Sequence, residues 1–421
     1  MKIKCAQLCK YIKDTVECLE FLNRAKQRET DFTRERRMPF CDVIYFMCGS
    51  LKRSVTRELE LYFKDKEEDA VSRQAFAQSR EKIKPEAFIY LNDMLVKKFE
   101  DEDGDIATYR GYRLLAVDGS VIDLPNSTAA RENFGFSSNG SAHSYAKGLA
   151  MTAFDVLNKI TIFSELYRYD DSERRRIMDI IDDFSKLDPY KKAIFLLDRG
   201  YPSFELFHRL EENGQKYLMR VQSSFLKEIS QNTQLDSIIT ITRKDRAVTL
   251  RVINVTLDTG ENEKLITNLF DDDFSQSEFK ELYARRWGVE TCFNFLKSKS
   301  LIECFTGESV TAILQDFYIG TIMMNIAAIA YREQEDIINE HEIKHPCENH
   351  YKPNFSQLIA DIKINWLNIL LCDNPVKSIW HELLLLKRIK KFAYADIPGR
   401  HFTRHNYCGH LLHKTHPKPT A

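Results

Sequence analysis

Apolar positions divide the chain into segments of different period. Leu8, Tyr11, Ile12, Cys18, Leu19 and Leu22 recur at steps of three and four, so residues 1–98 read as a mostly helical region. Inside it, Val71 to Ile83 reads as a further helix, with Ser72 placed to cap it and Pro85 to stop it. Arg73, Gln74, Gln78 and Arg80 then fall on its exposed side. That side is either the DNA-reading face of a helix-turn-helix or an ordinary solvated face. The acidic run 99–105 reads as a linker, and after it the period changes. Tyr112 to Leu124 is apolar and β-branched, a strand interrupted or ended near Asp118 and Gly119. Strands over 145–156 and 159–168 follow, joined through Leu157, Asn158 and Lys159, and the charged stretch 171–187 reads as a helix. Lys192 to Leu197 is a continuous apolar run of strand length, the pattern of a buried strand, and it ends at Asp198. Ser203 then caps a helix to about Glu212, and Lys216–Val221 is another strand.

Residues 222–276 alternate short apolar runs with polar turns, an antiparallel β insertion. From Ser277 the period is helical again, through Tyr283, Trp287, Val289, Phe293 and Leu296. The fold expected is α/β, in five segments. A helical region over 1–98 is followed by a mixed α/β domain in two parts, 104–221 and 277–335, which the β-rich insertion 222–276 interrupts. A helical, basic region over 336–421 completes it.

Composition narrows the class. With 421 residues and 43% hydrophobic content the chain can bury real cores, which excludes general disorder and suggests two to four units. Ten Cys without a CxxC pair suit free thiols in a reducing cytoplasm. The N-terminus has no long apolar run, so no signal peptide is expected. Ala312–Tyr331 is apolar but contains Gln315, Asp316 and Asn325, which makes a buried helix the better reading than a membrane span. Neither GxxxxGK[ST] nor GxGxxG occurs, which removes P-loop and Rossmann chemistry.

The net charge of −1 argues at first against a nucleic-acid partner, but the charges are segregated. Residues 1–98 carry 21 Lys/Arg and 16 Asp/Glu, a net of +5; residues 376–421 carry nine and two, a net of +7. The segment between them is left at −13.

Two aspartates stand where buried strands end, Asp118 and Asp198, in the region of an α/β sheet where ligands gather. With a helix carboxylate they could hold two Mg²⁺ ions about 3.5–4 Å apart. The helix candidate is Glu290. Tyr283, Arg286, Glu290 and Lys297 are spaced by three, four and seven, one face of a 3.6-residue helix. The same spacing also fits a plain Glu–Arg pair one turn apart.

At these residues the sequence resembles a family. Asp118-Gly-Ser, Leu197-Asp-Arg-Gly-Tyr and Tyr-x2-Arg-x3-Glu-x6-Lys resemble the three blocks of the DDE transposases of bacterial insertion sequences, in the branch with that Tyr-Arg-Glu-Lys signature. The resemblance runs from about 110 to 330 and includes the β insertion. It implies an RNase H-like catalytic domain, with Asp118, Asp198 and Glu290 as the metal-binding catalytic triad. Tyr283, Arg286 and Lys297 become contacts to the phosphates of the element ends. It implies Mg²⁺ as cofactor, two ions with Mn²⁺ able to substitute. The partners implied are double-stranded DNA, at both element ends and target, and a homodimer on that DNA, with no membrane. The location implied is a bacterial cytoplasm, at the nucleoid. The reaction implied is cut-and-paste transposition: strand cleavage at the ends, a hairpin intermediate and strand transfer, all phosphoryl transfers at one site. A well-studied relative in this branch stacks a Trp of the β insertion on a flipped base during hairpin formation. Here the three Trp are 287, 366 and 380, none within the insertion, and Phe225 or Phe270 are the substitutes on offer.

Arg220, ending the strand before the insertion, is a further candidate phosphate contact, as are Lys147 and His143 before the second strand. Asp123 reads as a turn residue before Pro125. Six of the eleven His fall in the last 41 residues; that tail is a basic DNA arm, a zinc site or a disordered end. Two other functions stay open: a transposase-derived DNA-binding protein that does not cut, and a metal-independent glycosidase with paired carboxylates.

Overall fold

The computed structural model describes residues 5–50, 53–102, 106–138, 144–187, 192–243, 245–256, 260–271, 274–298, 302–346, 349–371, 391 and 393–396. His143 and the tail from His401 onward lie outside the described residues. The chain forms two compact units: Met1–Gly104 with Phe295–Ala421, and Asp105–Asn294.

The first unit opens with helices α1 (Cys5–Val16), α2 (Leu19–Ala25), α3 (Phe40–Gly49), α4 (Val55–Asp65), α5 (Arg73–Arg80) and α6 (Glu86–Glu102). The apolar period of the first stretch is split between α1 and α2: Leu8 and Ile12 are buried, while Leu19 is exposed, because Cys18 is extended and restarts the helix with a new face. Ser72 caps α5 by accepting from the Ala75 N–H. Arg73 and Gln74 are exposed, as expected, but Arg80 is not. It is 2% exposed and belongs to the core.

The second unit is built on one mixed sheet. Its elements are β1 (Arg113–Asp123), α7 (Thr128–Phe134), β2 (Phe136–Ser138), β3 (Ser144–Asp155), β4 (Ile160–Arg168), α8 (Glu173–Leu187), β5 (Ala193–Leu197), α9 (Phe204–Glu212), β6 (Lys216–Val221), α10 (Lys227–Ser230), β7 (Asp236–Arg243), β8 (Arg246–Thr256), β9 (Asn262–Thr267) and α11 (Gln276–Ala284). Helix α12 (Trp287–Ser298) starts here, and from Phe295 the chain belongs to the first unit. The strand order is β2-β3-β1-β5-β6-β9-β8-β7, with β4 also on β3. β1, β5 and β6 run parallel; β3 is antiparallel to β1, and β9 to β6. Every residue of β5 is buried, as its unbroken apolar run requires of a strand covered on both faces. β7, β8 and β9 lengthen this same sheet, since β9 pairs directly with β6.

The strand expected to stop near Asp118 continues to Asp123. β5 pairs β1 only over Arg113–Ala116, whereas β3 pairs it from Leu115 to Asp123. What ends before Asp118 is the parallel pairing, not the strand.

The first unit resumes with α13 (Val310–Lys344), then β10 (His350–Lys352), α14 (Phe355–Leu371) and β11 (Tyr394–Asp396). α13 is long and apolar enough to cross a membrane, yet 94% of its most apolar window is buried inside the protein. It is the core helix of this unit, packed by α1, α3, α6 and α14. Its polar residues are absorbed there: Arg80 donates to the Gln315 side chain at 2.9 Å and to Asp316 at 3.1 Å, and Asn325 donates to Asn92 at 2.9 Å. A buried guanidinium with a carboxylate and further acceptors meets the condition under which such a charge is tolerated.

Candidate active site

The sheet register brings the two aspartates together. Ala116 of β1 is the parallel partner of Leu196 in β5, and each Asp lies two residues further along its own chain. Side chains two residues apart share a face, so Asp118 and Asp198 leave adjacent strands at the same level, at the carboxyl ends of the parallel pair. Asp118 Oδ1 accepts the Gly119 N–H at 3.0 Å. Burial pushes the Asp118 carboxyl from its ordinary 3.8 up to about 6. The Arg286 guanidinium and the Gly119 N–H pull it down, and Glu173 and Asp198 add to the rise.

The Tyr283–Lys297 segment is not one helix. α11 stops at Ala284 and α12 starts at Trp287, and the joint is tightened by bonds spanning three residues: Arg286 N–H to Tyr283 O at 3.0 Å, Gly288 N–H to Arg285 O at 3.0 Å and Val289 N–H to Arg286 O at 3.1 Å. The expected single face is therefore interrupted between its first and third residues, with Arg286 in the joint. The break still serves the site. Tyr283 donates its hydroxyl to Asp198 at 3.3 Å. Arg286, 8% exposed, donates to Glu290 at 2.6 Å and stands 3.7 Å from Asp118. Glu290 is in the first turn of α12 and Lys297 in its last.

One buried guanidinium thus joins Asp118 to Glu290, and a tyrosine holds Asp198. Burial opposes the Arg286 charge, but Tyr283, Glu290, Asp198 and Asp118 together raise its pKa above the ordinary arginine value. Burial likewise drives the Tyr283 phenol up, keeping it a hydrogen-bond donor. Among the described residues, no three His, Cys, Asp or Glu side chains converge into a ready-made metal cage. Glu290 is bonded to Arg286, and Asp198 lies near enough to Asp118 for its charge to raise the Asp118 carboxyl. An oxygen-only pair of like-charged carboxylates fits Mg²⁺, which binds through one or two carboxylates plus substrate phosphate and keeps water on the rest of its shell.

The remaining candidates are dispersed. Arg220 pairs with Glu263 at 2.5 Å and is near enough to Tyr283 to act on its charge, so it lines this site's edge. Lys147 is the cross-strand partner of Asp123 and pairs with it at 3.2 Å. Five residues beyond Asp118 it is roughly 17 Å along the strand and on the alternate face, so the structure does not bring it to the carboxylates. Arg73 is exposed at the start of α5, in the other unit. Phe225 packs edge-on against Phe207 at 6.2 Å, Phe270 is partly exposed, and Trp287, beside Arg286, is 49% exposed.

Sequence reasoning missed two residues. Glu173, in the first turn of α8, accepts the Tyr201 hydroxyl at 2.8 Å, and its charge reaches Asp118. Tyr201 belongs to the Leu-Asp-Arg-Gly-Tyr block, which is the one signal for it. Nothing in a charged amphipathic helix singles out one Glu.

Two carboxylates at one level, just past the paired stretch of two parallel strands, with a third on a following helix, are an acidic set of the kind phosphoryl transfer uses. Residues 109–326, just over half the chain, match the family described as the transposase DDE domain, and the chain belongs to that family. It is a DDE transposase, an enzyme of DNA transposition. No curated protein matches the sequence. Among solved structures, the piggyBac transposase synaptic complex with hairpin DNA aligns with a TM-score of 0.46 and 13% identity, covering 94% of this chain and 86% of that one.

Proposed function

We propose that the chain is a cut-and-paste transposase of a bacterial insertion sequence, of the Tyr-x2-Arg-x3-Glu-x6-Lys branch. Its catalytic domain is RNase H-like, residues 104–221 with 277–335, and 222–276 is the β-rich insertion. Residues 1–98 hold the element ends, and the basic region 336–421 assists. The observation that carries this reading is the level pairing of Asp118 and Asp198 on adjacent parallel strands, with Arg286 tying Asp118 to Glu290.

Asp118, Asp198 and Glu290 are the catalytic carboxylates and would hold two Mg²⁺ ions, or Mn²⁺ in their place. When bound, those ions supply an activated attacking oxygen and stabilise the leaving one. Tyr283 keeps the Asp198 carboxylate oriented through its hydroxyl. Arg286 has two possible partners for one planar fork. An arriving DNA phosphate competes with Glu290 for it, so substrate binding releases Glu290 to complete the carboxylate set. Lys297 and Arg220 contact flanking phosphates, and Arg73 the duplex of the ends. Trp287, exposed beside Arg286, offers the aromatic face on which an extruded base can stack. The first cut frees a 3′-OH, that hydroxyl attacks the opposite strand to close a hairpin, and the reopened end attacks target DNA. Synapsis of two ends requires a homodimer, acting at the nucleoid.

Duplexes carrying the inverted repeats that flank the gene, incubated with the full chain and Mg²⁺, should yield nicks at the ends and then hairpin products on denaturing gels. Retarded duplex without any nick would instead identify a transposase-derived binding protein.

A further inference from the structure

Outside the three carboxylates and the signature residues, one arrangement ties the two aspartate segments together. The first turn of α8 grips the loop after β5 at two successive residues. Arg174 Nε donates to the Gly200 carbonyl at 2.5 Å, and Tyr201 donates its hydroxyl to Glu173 Oε2 at 2.8 Å. That loop, Asp198–Tyr201, is closed by the Tyr201 N–H on the Asp198 carbonyl at 3.1 Å. Tyr201 is 2% exposed, so its hydroxyl has lost water and depends on this acceptor. The same Glu173 side chain lies across β1. A methyl group at Gly119 would meet Glu173 Cδ at 2.6 Å and Oε1 at 2.8 Å, a distance real Cβ atoms do not show. The Glu173 carboxyl, with Met151 Sδ at 2.9 Å, thus fills the space a side chain at Gly119 would need. One carboxyl touches the residue next to Asp118 and, through Tyr201, fixes the loop that begins at Asp198.

We propose that Glu173 is a positioning residue for the cleavage reaction: with Tyr201 it sets the spacing of Asp118 and Asp198. This rests on the assignment of those two aspartates as catalytic. The role is one of shape and hydrogen bonding, so a side chain of the same shape that still accepts the Tyr201 proton serves in its place. Residues that orient metal-binding carboxylates typically cost about 10–100-fold in activity or metal affinity when lost.

The test uses the full chain and a gene-end duplex, with Asp118→Ala as reference. Tyr201→Phe and Glu173→Leu should each nick about 10–100-fold more slowly and need more Mg²⁺ for half-maximal rate, and should bind fewer Mn²⁺ ions by EPR without DNA. End binding in EDTA should be unchanged, and Glu173→Gln should restore cutting. Gly119→Ala should impair cutting in the native background and cost less in Glu173→Ala, where only the 2.9 Å approach to Met151 Sδ remains. Variants that melt earlier but keep the native Mg²⁺ half-saturation and nicking rate would show a merely structural pair and overturn the proposal. If Asp118→Ala itself still cuts, the aspartate assignment has failed instead.

Discussion

Asp118 carries an ionised carboxylate that the fold disfavours. The folded protein binds this proton more tightly than the unfolded chain, so stability is highest below pH 3.8 as far as this group is concerned and is lost as pH rises through about 6. At roughly 1.4 kcal/mol per pH unit the cost at pH 8 is of order 3 kcal/mol. Asp118→Asn should therefore stabilise the metal-free protein against urea at pH 8, by about 1–3 kcal/mol, and the gain should shrink toward pH 5. Equal stability at pH 8 would mean that Arg286 outweighs burial. Arg286→Lys keeps the charge but loses the fork that reaches Glu290 while facing Asp118. We expect a folded protein that retains end binding in EDTA and nicks at least about tenfold more slowly. Asp118, Asp198, Glu290, Tyr283 and Arg286 stand out in the sequence by apolar runs and local spacing, but what brings their side chains within reach of one another is the β1–β5 register and the α11–α12 joint. Glu173 does not stand out, since its place over Gly119 arises only when α8 meets β1. Lys147 looked promising by proximity along the chain, and the register puts it on the wrong face.

At the level of elements, periodicity located the strands and helices of the sheet unit well, and their joints less so. The apolar run of β5 and the Ser203 cap of α9 are local facts, and both stand in the structure. The continuation of β1 past Asp118 depends on β3 as a partner, and the split between α11 and α12 on a three-residue turn, neither of which periodicity encodes. The membership of β7–β9 in the central sheet is likewise a matter of pairing between distant residues. α5 is the instructive case. A helical wheel put Arg80 outside with Arg73, but Arg80 docks the end of α5 onto α13 through Gln315 and Asp316. Arg80→Met should destabilise the helical unit by about 3–5 kcal/mol, because Asp316 stays buried without its cation. Arg80→Met with Asp316→Leu should recover much of that loss in denaturant titration; no recovery would show that the ion pair is not what holds α5.

Across the whole molecule, near-neutrality conceals basic ends and an acidic middle, with the site carboxylates contributing only three of the middle's surplus charges. Residues 1–98 belong to the helical unit and the three site carboxylates to the sheet unit, so on the proposed reading the contacts of 1–98 to DNA can be altered apart from cutting. Affinity for an end duplex should fall linearly with log salt, and Arg73→Ala should reduce that slope by about one without changing the nicking rate of bound duplex. An unchanged slope would remove Arg73 from the DNA contact. The most direct test of the account is single-turnover nicking of a gene-end duplex in Mg²⁺ by the native chain and by Asp118→Ala, Asp198→Ala and Glu290→Ala. The account predicts nicking by the native chain that EDTA abolishes, and none by any of the three variants, all still binding the duplex. Nicking by any one of them at the native rate would contradict it.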